Sequence, residues 1–404
     1  MTNNQRRIII NLNRLAHGGG QQNGMSFLST LAEIRDPKDY RVAVLKNSLL
    51  HRHAVACGFP VVLSDNKWFM ELFCRRYFQK GDVCFNFFGP PWRRSKDWLV
   101  NVSGVAYSNL FYPEIDFWKY HSTFGKTLKH LTDRLRLFQI GAADYWIFET
   151  EELLRRSRLL AKYPEERTAA VRMCPSVLVK PENVSEEAKS RFESKLTPGS
   201  RRLLFLAGGN PNKRIINVAS ILYLMRVRFR PNDPVEIVVT LPPDNGYFKK
   251  IKDEFSRFGL SKCLVNVGPV PPQDVASLIT CCRCMCLFSV LESFSNNMVE
   301  AWNMGIPLVV TDSSWASSEA GDAAFYLDPD HGEQACGVLW DAIQDAEKRR
   351  TVVGNGRQRL ESFPDPVQKC EAYLRCIEQA RQLGGLGKSR RNIVRWGIFP
   401  RDGS

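Results

Sequence analysis

Short runs of β-branched and aromatic residues, each followed by a longer mixed stretch of helical spacing, recur along this chain in two separate series. Arg7 to Leu12, Arg41 to Leu45, Asp82 to Phe88 and Tyr145 to Phe148 form the first. Arg202 to Ala207, Val235 to Leu241, Leu264 to Val267, Cys284 to Val290 and Pro307 to Thr311 form the second. That rhythm predicts βαβ units, and hence an α/β protein of parallel sheets covered by helices. Residues 181–200 turn to Pro, Glu, Ser and Lys without a sustained apolar pattern, which reads as a linker. The expected layout is a first domain over 1–180, the linker at 181–200 and a second domain over 201–364, then a helix over 365–383 and a basic, flexible tail over 384–404. A length of 404 residues agrees, because one hydrophobic core seldom organises so much chain.

Composition narrows the class. An apolar fraction of 44% and a charged fraction of 24% are those of a globular protein with sizeable cores. At the amino terminus only three isoleucines follow Arg6 and Arg7 before Asn11 interrupts, too few for an export signal. The longest apolar stretch, Leu278 to Leu291, is broken by Thr280 and Arg283 and is too short to span a bilayer. The expected location is the cytoplasm, peripheral at the inner face of the membrane where the basic surface docks. Twelve cysteines in such a chain argue for reduced thiols. Cys281, Cys282, Cys284 and Cys286 have the spacing of a strand, whose residues alternate faces, so they are not expected to converge on a zinc ion.

The net charge of +14 is uneven: residues 1–100 carry 15 Lys and Arg against 7 Asp and Glu, and residues 385–404 carry five against one. An anionic membrane surface or a phosphorylated substrate would answer that charge. No nucleic-acid motif accompanies it, so nucleic acid is not expected as a partner.

Three motifs point to chemistry. After the first strand, His17-Gly18-Gly19-Gly20-Gln21-Gln22-Asn23-Gly24 leads into the helix-like Met25 to Ile34, and such a turn brings backbone N–H groups close to a ligand. In the second series, Phe205 to Arg214 forms a loop after a strand, with Asn210, Lys213 and Arg214 near its end. Finally, Glu292 follows a strand, and Glu300 falls with seven residues between in the helix that Ser295 can cap, so both carboxylates can face one crevice. The free N–H groups of Asn296 and Asn297 would favour a diphosphate there.

The stretch Phe288 to Asp330 resembles retaining glycosyltransferase family four, of the GT-B fold. Glu292 and Glu300, then Ala301, Gly305, Pro307, Val309, Val310, Asp312, Glu319, Gly321, Asp322, Ala323, Ala324, Asp328 and Pro329 follow its pattern. The resemblance implies two Rossmann-like domains with parallel sheets facing a central cleft. It implies a nucleotide-diphosphate sugar as donor substrate, no cofactor or bound metal, and a saccharide or lipid-linked acceptor, in polysaccharide or lipopolysaccharide biosynthesis. It places Glu300 at the ribose hydroxyls, Glu292 at the transferred sugar and Lys213 at the diphosphate. Where the family has an arginine stands Gly208, so the second positive charge is missing or comes from Arg214 or a basic residue elsewhere, and the Val267-Gly268-Pro269-Val270 loop borders the base. The family's first-domain histidine has no counterpart here, leaving Tyr107, Ser108 or Asn109 for the sugar or acceptor. Asp328-Pro329-Asp330 reads as a turn. The rival readings are a nucleotide-sugar epimerase of the same fold and a non-catalytic partner subunit.

Overall fold

The structure, a computed structural model, describes residues 7–15, 18–64, 81–89 and 99–384. His17, and the expected tail after Gly384, lie outside the described residues. Two compact units emerge, Met1–Cys174 with Pro364–Ser404, and Pro175–Phe363.

Among the described residues the first unit contains seven parallel strands: β1 (Ile8–Asn11), β2 (Tyr40–Leu45), β3 (Val61–Ser64), β4 (Asp82–Asn86), β5 (Leu99–Val105), β6 (Tyr145–Phe148) and β7 (Thr168–Ala170). Their order is β3-β2-β1-β4-β5-β6-β7, so the winding reverses between β1 and β4. After β5 the chain leaves the sheet at Val105 and turns through a short 3-10 segment, Ser108–Leu110. Gly104 is dictated by close approach: a Cβ there would lie 1.8 Å from the carbonyl oxygen of Phe87. The helices of this unit include α1 (Gly18–Ile34), α2 (Leu49–Ala56), α3 (Thr123–Ile140) and α4 (Glu151–Ala161).

A closing helix, Pro366–Leu383, completes the same unit. Asp365 and Gln368 form a reciprocal capping box and Pro366 sits at the first helical position, which fixes where the helix starts. Its Tyr373 enters the core with its ring centroid 5.6, 5.2 and 5.3 Å from those of Phe27, Phe85 and Phe87. An aromatic cluster of that kind supplies much of the apolar burial holding a unit together.

The second unit contains six parallel strands: β8 (Arg201–Phe205), β9 (Val235–Val239), β10 (Leu264–Asn266), β11 (Cys284–Leu287), β12 (Leu308–Thr311) and β13 (Phe325–Leu327). They are ordered β10-β9-β8-β11-β12-β13, with the reversal between β8 and β11. Both units are thus Rossmann-like, the α/β class read from the sequence.

Two expectations change. Residues 181–200 are not a free linker: they fold onto the second unit, which begins at Pro175, and the first domain ends at Cys174 rather than 180. Within them α5 (Glu186–Glu193) buries Ala188 and Phe192, and Leu196 follows. The first two lie one turn apart on one helical face hidden among charges, and Leu196 is buried just past the helix end. Ser185 N–H donates to Ser277 Oγ at 2.9 Å and Arg191 pairs with Asp274 at 2.6 Å. The cysteine cluster is also not one strand. Cys281 caps a short helix, Val275–Thr280, and only Cys284 and Cys286 lie in β11.

Candidate functional site

In a parallel sheet every strand's carboxyl end lies on the same edge, and a reversal of winding opens a crevice between the loops on either side of it. In the second unit those are the loops after β8 and β11. The first, from Leu206 to Arg214, turns through a 3-10 segment over Pro211–Lys213, where Asn210 Oδ1 accepts from the Asn212 N–H at 3.0 Å. The second leaves β11 at Leu287, and Val290 N–H donates 2.9 Å to Asn212 O, stitching the two loops together. Trp315 Nε1 donates 3.1 Å to Val290 O and locks the second loop from beneath.

This stitching brings Lys213 and Glu292 together: the Lys213 ammonium donates to Glu292 Oε1. Ser289 Oγ, buried, donates 2.6 Å to the same carboxylate oxygen. Both charged side chains retain some exposure, so the pair is accessible from outside. Sequence reasoning named the two charges and missed Ser289. Its signal was the spacing of three residues before Glu292 just past a strand end.

Beyond Glu292 comes a helix, Asn296–Asn303, with Glu300 buried one turn into it. Ser295 occupies the cap position, yet its side chain makes no capping hydrogen bond, a correction to the expected cap. Asn297 is buried, and its Nδ2 donates 2.9 Å to Leu206 O, tying the helix start to the loop after β8. Asn296 is half-buried. The missing side-chain cap leaves the first backbone N–H groups of this helix, its positive end, for another acceptor.

Arg214 departs from its expected place at the diphosphate. It is buried, with a left-handed φ of 47°. Its guanidinium donates to Phe288 O at 2.8 Å, Thr311 Oγ1 at 2.8 Å and Asp330 Oδ2 at 3.2 Å, and lies 3.7 Å from Asp328. Arg214 is therefore a fastener between the β8 loop and the end of β13. The Asp328-Pro329-Asp330 segment is the turn that receives it, and Asp330 also accepts from Asn217 at 2.8 Å.

The loop after β10 turns at Gly268, whose φ of +82° suits glycine, while Val270 stays half-buried. Asn266 holds it, exchanging hydrogen bonds with Leu241 and accepting from the Gly268 N–H at 3.1 Å. This loop lies on the same edge of the sheet as Lys213 and Glu292.

The first unit's reversal has different chemistry. Asn11 and Asn86 stand opposite each other in register at the ends of β1 and β4, and Asn11 Nδ2 donates 2.8 Å to Asn86 Oδ1. Asn86 Nδ2 donates to Val102 O at 3.2 Å, and Asn11 Oδ1 accepts from the Asn13 N–H at 3.1 Å. Sequence reasoning passed over these amides, although polar residues ending an isoleucine run were the signal. Gly19 and Gly20 lie in the first turn of α1, next to that reversal. A Cβ on Gly20 would sit 3.2 Å from Leu15, so packing asks for that glycine. At the end of β5, Tyr107 carries Arg136 over its ring at 5.3 Å, Ser108 is buried and Asn109 is half-buried.

The buried thiols are of another kind. Burial pushes Cys282 and Cys286 well above the ordinary thiol value, which keeps them neutral and disfavours the thiolate form that ligates metals.

Comparison with known proteins bears on the family and the fold. Residues 186–359 match the family described as glycosyl transferases group 1. The chain is similar to an MMP alpha-(1->4)-mannosyltransferase of Mycolicibacterium hassiacum, 23% identical over 251 residues, which are 58% of this chain and 59% of that protein. The aligned part thus spans under two thirds of that relative's length. Among solved structures, HepE of Anabaena in complex with UDP and glucose aligns with a TM-score of 0.68 at 15% identity, over 92% of this chain and 99% of its own. WaaG, a glycosyltransferase involved in lipopolysaccharide biosynthesis, aligns with a TM-score of 0.64 at 15% identity, over 94% of this chain and 100% of its own.

Proposed function

We propose that this chain, which carries a group 1 glycosyltransferase domain over residues 186–359 on a GT-B fold, is a retaining glycosyltransferase. It moves a hexose from a nucleoside diphosphate to a saccharide or lipid-linked acceptor. The observation that carries the reading is the Lys213 and Glu292 pair at the winding reversal, beside a helix start without a side-chain cap.

A diphosphate carries a more concentrated negative charge than a single carboxylate. Entering, it competes with Glu292 for the Lys213 ammonium and meets the N–H groups that open the following helix. The exchange frees Glu292 to face the sugar, with Ser289 holding its carboxylate in place. As the glycosidic bond lengthens, negative charge grows on the leaving diphosphate, and the fixed ammonium and helix end stabilise that charge without reorganising. The acceptor hydroxyl attacks from the face the diphosphate leaves and passes its proton to the departing phosphate oxygen, so configuration is retained. Glu300 takes the ribose hydroxyls, and the Gly268 to Val270 loop borders the base. A nucleoside-diphosphate hexose is supported by HepE, seen with UDP and glucose, and by the relative's mannosyl transfer. WaaG supports a role in building a lipopolysaccharide or related glycan.

The test is a thermal-shift panel of UDP-, GDP- and ADP-hexoses, followed by calorimetry on Glu300→Ala. One donor should raise Tm, and Glu300→Ala should weaken its binding about tenfold, the scale of one charged hydrogen bond. A panel in which no nucleotide sugar binds wild type more tightly than Glu300→Ala sinks the donor assignment.

A further inference from the structure

Helix α3 is mounted the wrong way round for a helix of a water-soluble surface. Ser122 caps it, accepting from the Gly125 N–H at 3.2 Å, and it runs 18 residues, about 27 Å. Its polar side is the side that grips the protein. Lys126 pairs with Asp116 at 2.8 Å, Trp118 Nε1 donates to Asp133 at 2.6 Å, Lys129 lies 4.9 Å over the Trp118 ring, and Arg136 lies over Tyr107.

The opposite side carries Phe124, Leu128, Leu131, Leu135 and Phe138, each between 55% and 82% exposed. Steps of four and three residues confine these five to an arc of about 80°, one continuous stripe along the helix. No other described element turns so many large apolar side chains to solvent. An apolar stripe of this length on one face marks a surface that meets something other than water.

Charge decides what that is. The helix holds Lys126, Lys129, Arg134 and Arg136 against Asp133 alone, and exposed Lys119 and Tyr120 stand just before it. The positions flanking the stripe are Gly125, Thr127, Thr132, Arg134 and Gln139. Two copies packed stripe to stripe would bring Arg134 up with no acidic residue on the partner's flank to receive it, where helix pairs normally set opposite charges. A layer of anionic lipid headgroups complements the exposed Arg134 and Lys119, while its acyl boundary accepts the stripe. Among the described residues no helix is long and apolar enough to cross a membrane, so contact of this kind lies in the surface plane.

We infer that α3 is a membrane-docking helix, which lays its Phe124 to Phe138 stripe into the headgroup boundary of an anionic bilayer. This goes beyond the donor site, which lies in the other unit, and stands whether or not the glycosyl transfer reading does.

Flotation of the full chain with phosphatidylglycerol-containing vesicles, against pure phosphatidylcholine vesicles, tests it. Wild type should float with the anionic vesicles and far less with the neutral ones. Leu128→Ser with Leu131→Ser and Leu135→Ser should cut the bound fraction about tenfold or more. A second variant, Phe124→Ser with Phe138→Ser, touches only the two ends of the stripe and should cut it less, at unchanged Tm. The inference is overturned if either variant floats like wild type, since basic segments elsewhere would then carry the binding. It is overturned equally if wild type floats with neither vesicle or as well with both, or if sedimentation shows a dimer that the stripe variants dissolve.

Discussion

Each unit reverses its winding once, and the two reversals are closed by different side chains. Between β8 and β11 stands an ammonium and carboxylate pair; between β1 and β4 stands a pair of amides. The ion pair is partly exposed and each member is open to exchange for another ion, whereas Asn11 and Asn86 are buried and satisfy each other. One backbone plan thus carries an accessible ion pair in one place and a buried amide clasp in the other. Residue chemistry at the strand ends, not the fold, sets what each crevice can hold.

That contrast breaks most visibly at Lys213. Lys213→Ala should lower kcat by about 10² to 10³, the scale of losing one fixed donor to a developing anion, while Tm stays near wild type because the side chain is part-exposed. Steady-state kinetics with the stabilising nucleotide sugar, beside a thermal melt, shows whether the effect is confined to turnover.

Arg214 sharpens the same comparison from within the second unit. Arg214→Ala should cost about 2 to 3 kcal/mol in urea unfolding, since it strips hydrogen bonds from Phe288, Thr311 and Asp330. Donor affinity of the folded protein should stay near wild type. A donor Kd weakened as much as that of Glu300→Ala would return Arg214 to the binding site.

In the first unit, Asn86→Ala should cost about 1 to 2 kcal/mol by leaving the buried Asn11 amide unpaired. Asn11→Ala combined with it should cost less than the sum of the two, as members of one clasp do. Full additivity in urea titrations would mean that the amides act separately.

The smallest effect concerns the closing helix. Burial pushes the thiol of Cys376 up to about 11 and that of Cys370 up to about 12, from an ordinary 9.0. The unfolded chain therefore loses these protons first as pH rises. Their contribution is intact below about pH 9 and declines through pH 11 to 12. Cys376→Ala should flatten that decline in Tm between pH 8 and 11; an unchanged slope would assign it to other groups.

Much of this was readable beforehand, for reasons that differ by residue. The strands named from the sequence announced themselves because both faces of a parallel sheet are buried, so their apolar runs are nearly continuous, whereas β3, β5, β7 and β13 went unnamed. Glu292 and Glu300 stood out by spacing and by a resemblance spread over some forty residues, and Lys213 by its place in the loop after a strand. Ser289, Asn11 and Asn86 did not, because a serine or asparagine at a strand end looks alike whether it clasps a neighbour or faces water. Arg214 misled for a related reason: charge was legible and direction was not. A left-handed backbone at that residue turns its guanidinium toward Asp330. In residues 181–200, charges outnumber the few apolar positions of α5, and only the packing partner reveals its face.

The closing helix also sets an order of events during synthesis. The first unit owns both the start of the chain and Pro366–Leu383, with all of residues 175–363 between. Residues 175–363 therefore emerge from the ribosome before Tyr373 does, and only then can it fill the space among Phe27, Phe85 and Phe87. The half of the protein translated first is the half that matures last, and until then its aromatic core stays open to chaperones and proteases.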